Sequence, residues 1–400
     1  MSTSTRGTQI ASHARETRYA TEMPYTDRFP YSLTFFATLP IVVYGACAPL
    51  ELDSSYGNGH SAAAPQILFY GAMGEECCGE DPHPVHGTMA PDGSFIIGGK
   101  SIDATGNSDG FIVKIGPSLP TGFTKLDGNN AATLAWSNTF GMDGKQDAVN
   151  AVAASEDAVW VAGLAYSADA GISATLHKHH LNTGAQIRTA HLPAAEMALN
   201  SAFESMVLTP EGGAIAGGLT NSALGAFEGF KSYGNPASGT AQIAYYSPEQ
   251  LNADTAPTAP RWVDTYAEFV SIRMIRPVGT DGFVFLAATP DETYTVVRLD
   301  QNRNTVWETP LDDHGEATDI AVQTNLDGTL NGFAVTGHKE INDGIDGSVT
   351  HLDPEGTIQW ATRVGNPLGG TGEFEGLGSG NPRLIYDECW GIQSTASGGV

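Results

Sequence analysis

The sequence predicts an all-β protein, a β-propeller of four-stranded blades, and three observations predict it. Four of the six tryptophans close the same kind of short run: "LAWSNTFG" at 134–141, "PRWVDTYA" at 260–267, "NTVWETPL" at 304–311 and "GTIQWATRVG" at 356–365. Two apolar runs joined by a tight turn recur five times along the chain. The 400 residues include 48 Gly and 22 Pro, and only 16% are charged, a mix suited to short strands and many turns.

The hairpin element comes first in each unit. It reads "GTMAPDGSFIIGGK" at 87–100, "NAVAASEDAVWVAGL" at 150–164 and "ESMVLTPEGGAIAGGL" at 204–219. It returns as "IRMIRPVGTDGFVFLAAT" at 272–289 and "DIAVQTNLDGTLNGFAVTG" at 319–337. Asp-Gly and Gly-Gly turns between apolar runs are hairpin signals, and the small residues that end the second run let neighbouring backbones approach closely. A third strand follows, in "DGFIVKIGP", "ATLHKHHLNTGAQIR", "AQIAYYSP", "TYTVVRLDQNRNTVW" and "DGSVTHLDPEGTIQW". This alignment gives Lys114, His179, Tyr245, Arg298 and His351 one shared position.

The fourth strand carries Trp136, Trp262, Trp307 or Trp360, with Arg188 in the tryptophan's place in the second unit. A spacing of about 45–70 residues for four strands is that of a propeller blade. Each tryptophan is expected to fill the gap between neighbouring sheets, at a cost of about 3 kcal/mol if truncated. Trp160 and Trp390, in hairpin elements, receive the same reading. Five units run from about 85 to 365, and "LIYDECWGIQSTASGGV" begins a sixth. "PQILFYGAMG" at 65–74 reads as a fourth-type strand without its hairpin. The expectation is a ring of at least six blades, cut within the sixth, with an open five-unit array as the alternative. The propeller domain is assigned to 65–400.

Residues 32–48, "SLTFFATLPIVVYGACA", form the one strongly apolar stretch. It is short for a bilayer span and contains Pro40. With Met23 as start and Arg28 as a positive flank, residues 1–48 read as an export signal and 49–64 as a flexible tether. Gly45-Ala46-Cys47 resembles a bacterial lipoprotein cleavage site, with Cys47 as the lipidated residue; Tyr44 departs from the usual aliphatic residue. An ordinary signal-peptidase site at "ACA" and a buried strand are the other readings. The expected location is the outer membrane, periplasm or exterior, with the membrane touched only through the lipid anchor.

The formal net charge is −26. A polyanion repels phosphate backbones, which argues against nucleic-acid binding. Of the remaining cysteines, Cys77 or Cys78 bonded to Cys389 would tie the first blade to the last in an exported protein. For metals, His177 and His179 alternate onto one strand face. The cluster His83, Pro84 and His86 is expected in a loop. The acidic turns "NDGIDGS" (with Asp343 and Asp346), "DATGNSD" and "LDGNN" have calcium-loop composition without the full twelve-residue loop, and the same residues suit tight turns. A G-x-S-x-G elbow and a phosphate loop are absent.

The repeats resemble bacterial β-propeller repeat families whose units read roughly D-x-F-V-x-K-L-D-x-x-G-x-x-x-W; "DGFIVKI" and "HLDPEGTIQW" carry the likeness, which covers most of 65–400. "LDPEGTIQW" also resembles the tryptophan-docking repeat of pyrroloquinoline-quinone dehydrogenases, and Cys77-Cys78 resembles their adjacent cysteines. No cation site or catalytic aspartate can be placed for that cofactor, so the quinone is disfavoured and calcium is the cofactor candidate. The functional expectation is a non-catalytic binding module that takes a glycan or a protein at the loop face, with Phe227, Phe230 and Tyr233 as candidate contacts. The alternatives are a quinoprotein dehydrogenase, a glycan-active hydrolase or lyase, and a structural scaffold.

Overall fold

The structure is a computed structural model of the chain. It describes residues 83–364 apart from 103–107, 117–133, 142–146, 168–170, 193–198, 224–238, 253–258, 313 and 342–343, together with 391–395 and 399–400. Cys47, Cys77, Cys78, Cys389, Trp390, Asp343, the 65–74 segment and the aromatics Phe227, Phe230 and Tyr233 lie outside the described residues.

The architecture is an all-β propeller array of five four-stranded antiparallel sheets, each made of four consecutive strands. The first sheet holds β1 (His83–Met89), β2 (Phe95–Ile102), β3 (Ser108–Ile115) and β4 (Leu134–Phe140). The second holds β5 (Ala148–Ala154), β6 (Ala158–Ser167), β7 (Gly171–His180) and β8 (Gln186–Leu192). The third holds β9 (Leu199–Leu208), β10 (Ala214–Ala223), β11 (Thr240–Tyr246) and β12 (Trp262–Tyr266), with a single helical turn α1 (Pro248–Asn252) before β12. The fourth holds β13 (Ser271–Pro277), β14 (Phe283–Ala288), β15 (Tyr294–Leu299) and β16 (Thr305–Pro310), and the fifth β17 (Glu316–Thr324), β18 (Leu330–Ile341), β19 (Gly344–Leu352) and β20 (Ile358–Val364).

Burial follows position in the blade. The middle strands are buried on both faces, as in β14 and β15, where every residue is buried. The fourth strands are more exposed: β12 alternates between half-buried and exposed residues, because one of its faces meets solvent, and β20 is exposed throughout. The apolar clusters lie between sheets: Trp160, Leu176 and Phe203 join the second to the third, and Met274, Leu286, Ile320 and Phe333 join the fourth to the fifth. The small residues at the ends of the hairpins do what their size permits. A Cβ on Gly98 would stand 2.4 Å from a Val149 methyl of the next sheet, and one on Gly217 2.7 Å from Ile272.

The first strands of successive sheets pack side by side. Each carries a β-bulge at the same place, where the register skips residue 85, Asn150, Glu204, Arg273 or Thr318. A bulge re-aims the side chains around it. The residue after the bulge then reaches the next first strand: Val152 N donates to His86 Nδ1 (3.2 Å) and Ile275 N to Ser205 Oγ (3.1 Å). Ile392 N donates in the same way to Asp319 Oδ2 (3.2 Å), so the 391–395 segment contacts β17 as one first strand contacts another.

His83, Pro84 and His86 belong to strand β1 rather than to a loop. The recurrent position opposite the tryptophan is held in the second sheet by Lys178, which pairs with Arg188, and not by His179. The other pairs are Lys114 with Trp136, Tyr245 with Trp262, Arg298 with Trp307 and His351 with Trp360. The physical reason is a second-sheet turn one residue longer than those of the fourth and fifth sheets, which shifts His179 out of that register.

Candidate functional site

The tryptophans act as docks. Trp136 Nε1 donates to Leu181 O of the second sheet (2.8 Å), and Trp307 Nε1 to Pro354 O of the fifth (3.1 Å). In both cases a glycine of the next sheet's last turn lies against the ring. Gly184 (φ 68°) and Gly356 (φ 85°) stand so close that a Cβ would come within 2.6 Å of Trp136 and 2.5 Å of Trp307. Only glycine meets both demands, the left-handed backbone and the close approach. The residue two places after the tryptophan completes the dock: Asn138 Nδ2 donates to Gly184 O, and Thr309 Oγ1 to Gly356 O (2.6 Å).

The interface between the third and fourth sheets breaks this pattern at two residues. The place of the glycine, four residues before the next tryptophan, is taken by Arg303, which keeps the left-handed backbone (φ 67°). The place of Asn138 and Thr309 is taken by Asp264, a carboxylate that cannot donate. The two changes compensate each other. Arg303 Nε donates to Asp264 Oδ2, and the guanidinium lies 4.4 Å from the Trp262 ring centroid. Trp262 Nε1 has no hydrogen-bond partner among the described residues, whereas its two counterparts each hold a carbonyl.

A second substitution falls on the same interface. In the first sheet Lys114 Nζ pairs with Asp92 Oδ2 of the hairpin turn (2.6 Å) and also reaches Leu181 O (3.2 Å). In the fourth sheet Arg298 holds the Asp281 carbonyl of the equivalent turn (2.8 Å). In the third sheet the position is Tyr245, whose hydroxyl donates to Glu211 Oε1 (3.1 Å). Burial and the neighbouring Glu211 raise the Tyr245 pKa, so the phenol stays protonated and donating at neutral pH. Among the described residues no lysine or arginine forms an ion pair with Glu211. Tyr245 and Trp262, opposite each other across the strands, stack at 5.6 Å and 26°.

These changes leave an open groove of about 490 Å³ between the two sheets. Val207, Ile215 and Phe283 line it with apolar surface, and Glu211, Trp262 and Arg303 supply its polar groups. The hairpin turns at 209–213 and 278–282 form opposite walls, so the groove opens on the turn side of the sheets.

The other sequence-predicted residues fall elsewhere. Trp136 and Trp307, like Trp262 in the groove, are half-buried. Trp360 is 46% exposed and stacks on His351 at 5.3 Å. Trp160 is buried under Lys178, whose Nζ lies 4.7 Å from its ring. His177 and His179 do share a face, with rings 6.1 Å apart and Phe140 beside them. His179 Nδ1 contacts the Gly184 carbonyl (3.0 Å), and burial lowers its pKa. Asp346 is a ladder residue opposite Lys339 in β19 rather than part of a turn. Among the described residues no group of three or more His, Cys, Asp or Glu side chains converges as a metal site would require. Sequence reasoning passed over Glu211, Asp264 and Arg303. The available signal was an arginine where two other units write glycine, coupled to a tyrosine where the repeat writes lysine, arginine or histidine.

No family model matches the chain, and no curated protein matches it. Solved structures similar to it include Sqt1 from Chaetomium thermophilum, at 16% identity and TM-score 0.38, covering 75% of this chain and 65% of that one. A cobalt-substituted apocarotenoid oxygenase from Synechocystis matches at 11% identity and TM-score 0.40, covering 76% of this chain and 64% of that one. The chain thus spans about 65% of the length of these neighbours. The fold assignment rests on the strand pairing and sheet packing described above.

Proposed function

We propose that this propeller is a non-catalytic binding module and that its ligand docks in the groove between the third and fourth sheets. The observation that carries the reading is the unfilled tryptophan dock. At two other interfaces the next sheet's turn gives the indole N–H a backbone carbonyl; here Arg303 covers the ring face, and the N–H and an apolar floor are left open to a ligand. A preformed concave site with an apolar lining and a few converging polar groups is the usual form of a binding pocket. The glycan or protein partner expected at the loop face is assigned to this groove. The module works outside the cell, carried by the 1–48 export signal and held by lipid on Cys47, with calcium as the one cofactor candidate.

The test is a fluorophore on a cysteine introduced at the groove wall, Thr280→Cys, titrated with synthetic peptides and neutral oligosaccharides. The reading expects a saturable shift with one class and its loss when Val207→Trp fills the groove in a variant with an unchanged melting profile. Turnover of the bound compound would overturn the non-catalytic assignment. Saturable binding that survives the filled groove would place the site elsewhere.

A further inference from the structure

The groove lacks two groups that the equivalent interfaces possess. The indole N–H lacks the backbone carbonyl that Leu181 and Pro354 supply to Trp136 and Trp307. The turn carboxylate Glu211 lacks the cation that Lys114 supplies to Asp92. Trp262 and Glu211 are neighbours, because Tyr245 joins them: its hydroxyl donates to Glu211 and its ring stacks on Trp262. Resting on the groove reading above, we infer that the occupant is a polypeptide segment carrying a lysine or arginine. Its backbone carbonyl accepts from Trp262 Nε1, and its cationic side chain pairs with Glu211.

Charge supports this choice. The chain carries −26, which draws a basic partner and repels an acidic one. Stacking of a sugar ring is less well served, since the two faces of the stacked pair are already used. Arg303 lies over Trp262, and Gly213 sits against Tyr245, where a Cβ would come within 2.8 Å of the ring. What Trp262 has to offer is its N–H edge, and the group that fills that role twice in this chain is a peptide carbonyl.

The experiment titrates the labelled full chain with three panels. These are blocked hexapeptides bearing one lysine or arginine, the same peptides with norleucine in that place, and neutral oligosaccharides. The basic peptides are expected to bind and the norleucine peptides to bind about ten- to a hundredfold more weakly, the range of a hydrogen bond to a charged group. Glu211→Gln should remove that difference, and binding should weaken as salt rises. Trp262→Phe keeps a ring but removes the donor, and should weaken all peptides by about two- to tenfold. Both variants are checked for an unchanged melting profile. Equal binding of basic and norleucine peptides, or no effect of Glu211→Gln, would overturn the inference. Oligosaccharide binding without peptide binding would also overturn it while leaving the groove as the site. Silence from all three panels would bring down the groove reading itself.

Discussion

Arg273 on β13 lies 3.5 Å from Glu204 on β9, and both side chains are only 3% exposed. The same guanidinium donates to Glu316 Oε1 on β17 at 3.0 Å, so one arginine joins three successive sheets. Burial opposes its charge, but Glu204, Tyr294 and Glu316 outweigh that, and its pKa is raised. Ser271 Oγ donates to Glu204 Oε1 (2.7 Å), and His338 approaches Glu316 (3.4 Å). Removing the cation strands two carboxylates. Arg273→Met is therefore expected to cost about 3–5 kcal/mol, measured by urea denaturation, since breaking a buried pair costs more than the pair itself contributes. Adding Glu204→Gln and Glu316→Gln to that variant should recover part of the loss.

The glycine docks yield a second expectation. Gly356→Ala places a Cβ 2.5 Å from Trp307 at a backbone φ of 85°. The left-handed backbone alone costs about 1–2 kcal/mol for an L-residue, and the contact adds to it. Arg303→Gly should behave differently. It relieves a left-handed arginine while losing an ion pair and a cation–π contact, each worth about 0.5–1 kcal/mol at a partly exposed site. Thermal melts should show a clear loss for the first and a change within about 1 kcal/mol for the second.

His314 links the β16–β17 connection to β19. It is buried, with Nδ1 2.9 Å from Thr350 Oγ1 and Nε2 3.2 Å from Ser348 Oγ. Burial lowers its pKa from 6.5 to about 4, against a hydrogen bond with the Thr336 backbone that raises it. Between these values the unfolded chain binds the proton and the folded one does not. Stability is thus complete above about 6.5 and falls as the pH drops toward 4, by at most about 3 kcal/mol. A His314→Gln variant should show a flatter stability profile across that window than the parent protein.

Asp92 titrates in a lower range. Burial raises its pKa, but hydrogen bonds from Lys114 and Ser94 outweigh this and bring it from 3.8 to about 2. Its contribution is present above 3.8 and is lost as pH falls through 2. The side chain is 39% exposed, so solvent screening keeps the effect small. Asp92→Asn should leave the acid limb of the stability curve less steep below pH 4, with a change near the resolution of a denaturation experiment.

The repeat was legible from the chain because it is written in local chemistry. Alternating apolar runs, Asp-Gly turns and the recurring tryptophans each depend on residues within one unit, and all five observed sheets follow them strand for strand. Even there, one extra residue in the 181–185 turn moved the recurrent position from His179 to Lys178, a shift that only strand pairing displays. The candidate site was hidden because it is made of exceptions. Glu211, Tyr245, Asp264 and Arg303 are ordinary residues in their own turns and strands. What makes them a site is the contact of the third sheet with the fourth, between residues 39 positions apart at Asp264 and Arg303. The units are written into the chain, because short-range hydrogen bonding and side-chain alternation act along the strand. Which indole N–H receives a carbonyl emerges only when the blades pack, because the acceptor belongs to a turn of the neighbouring sheet.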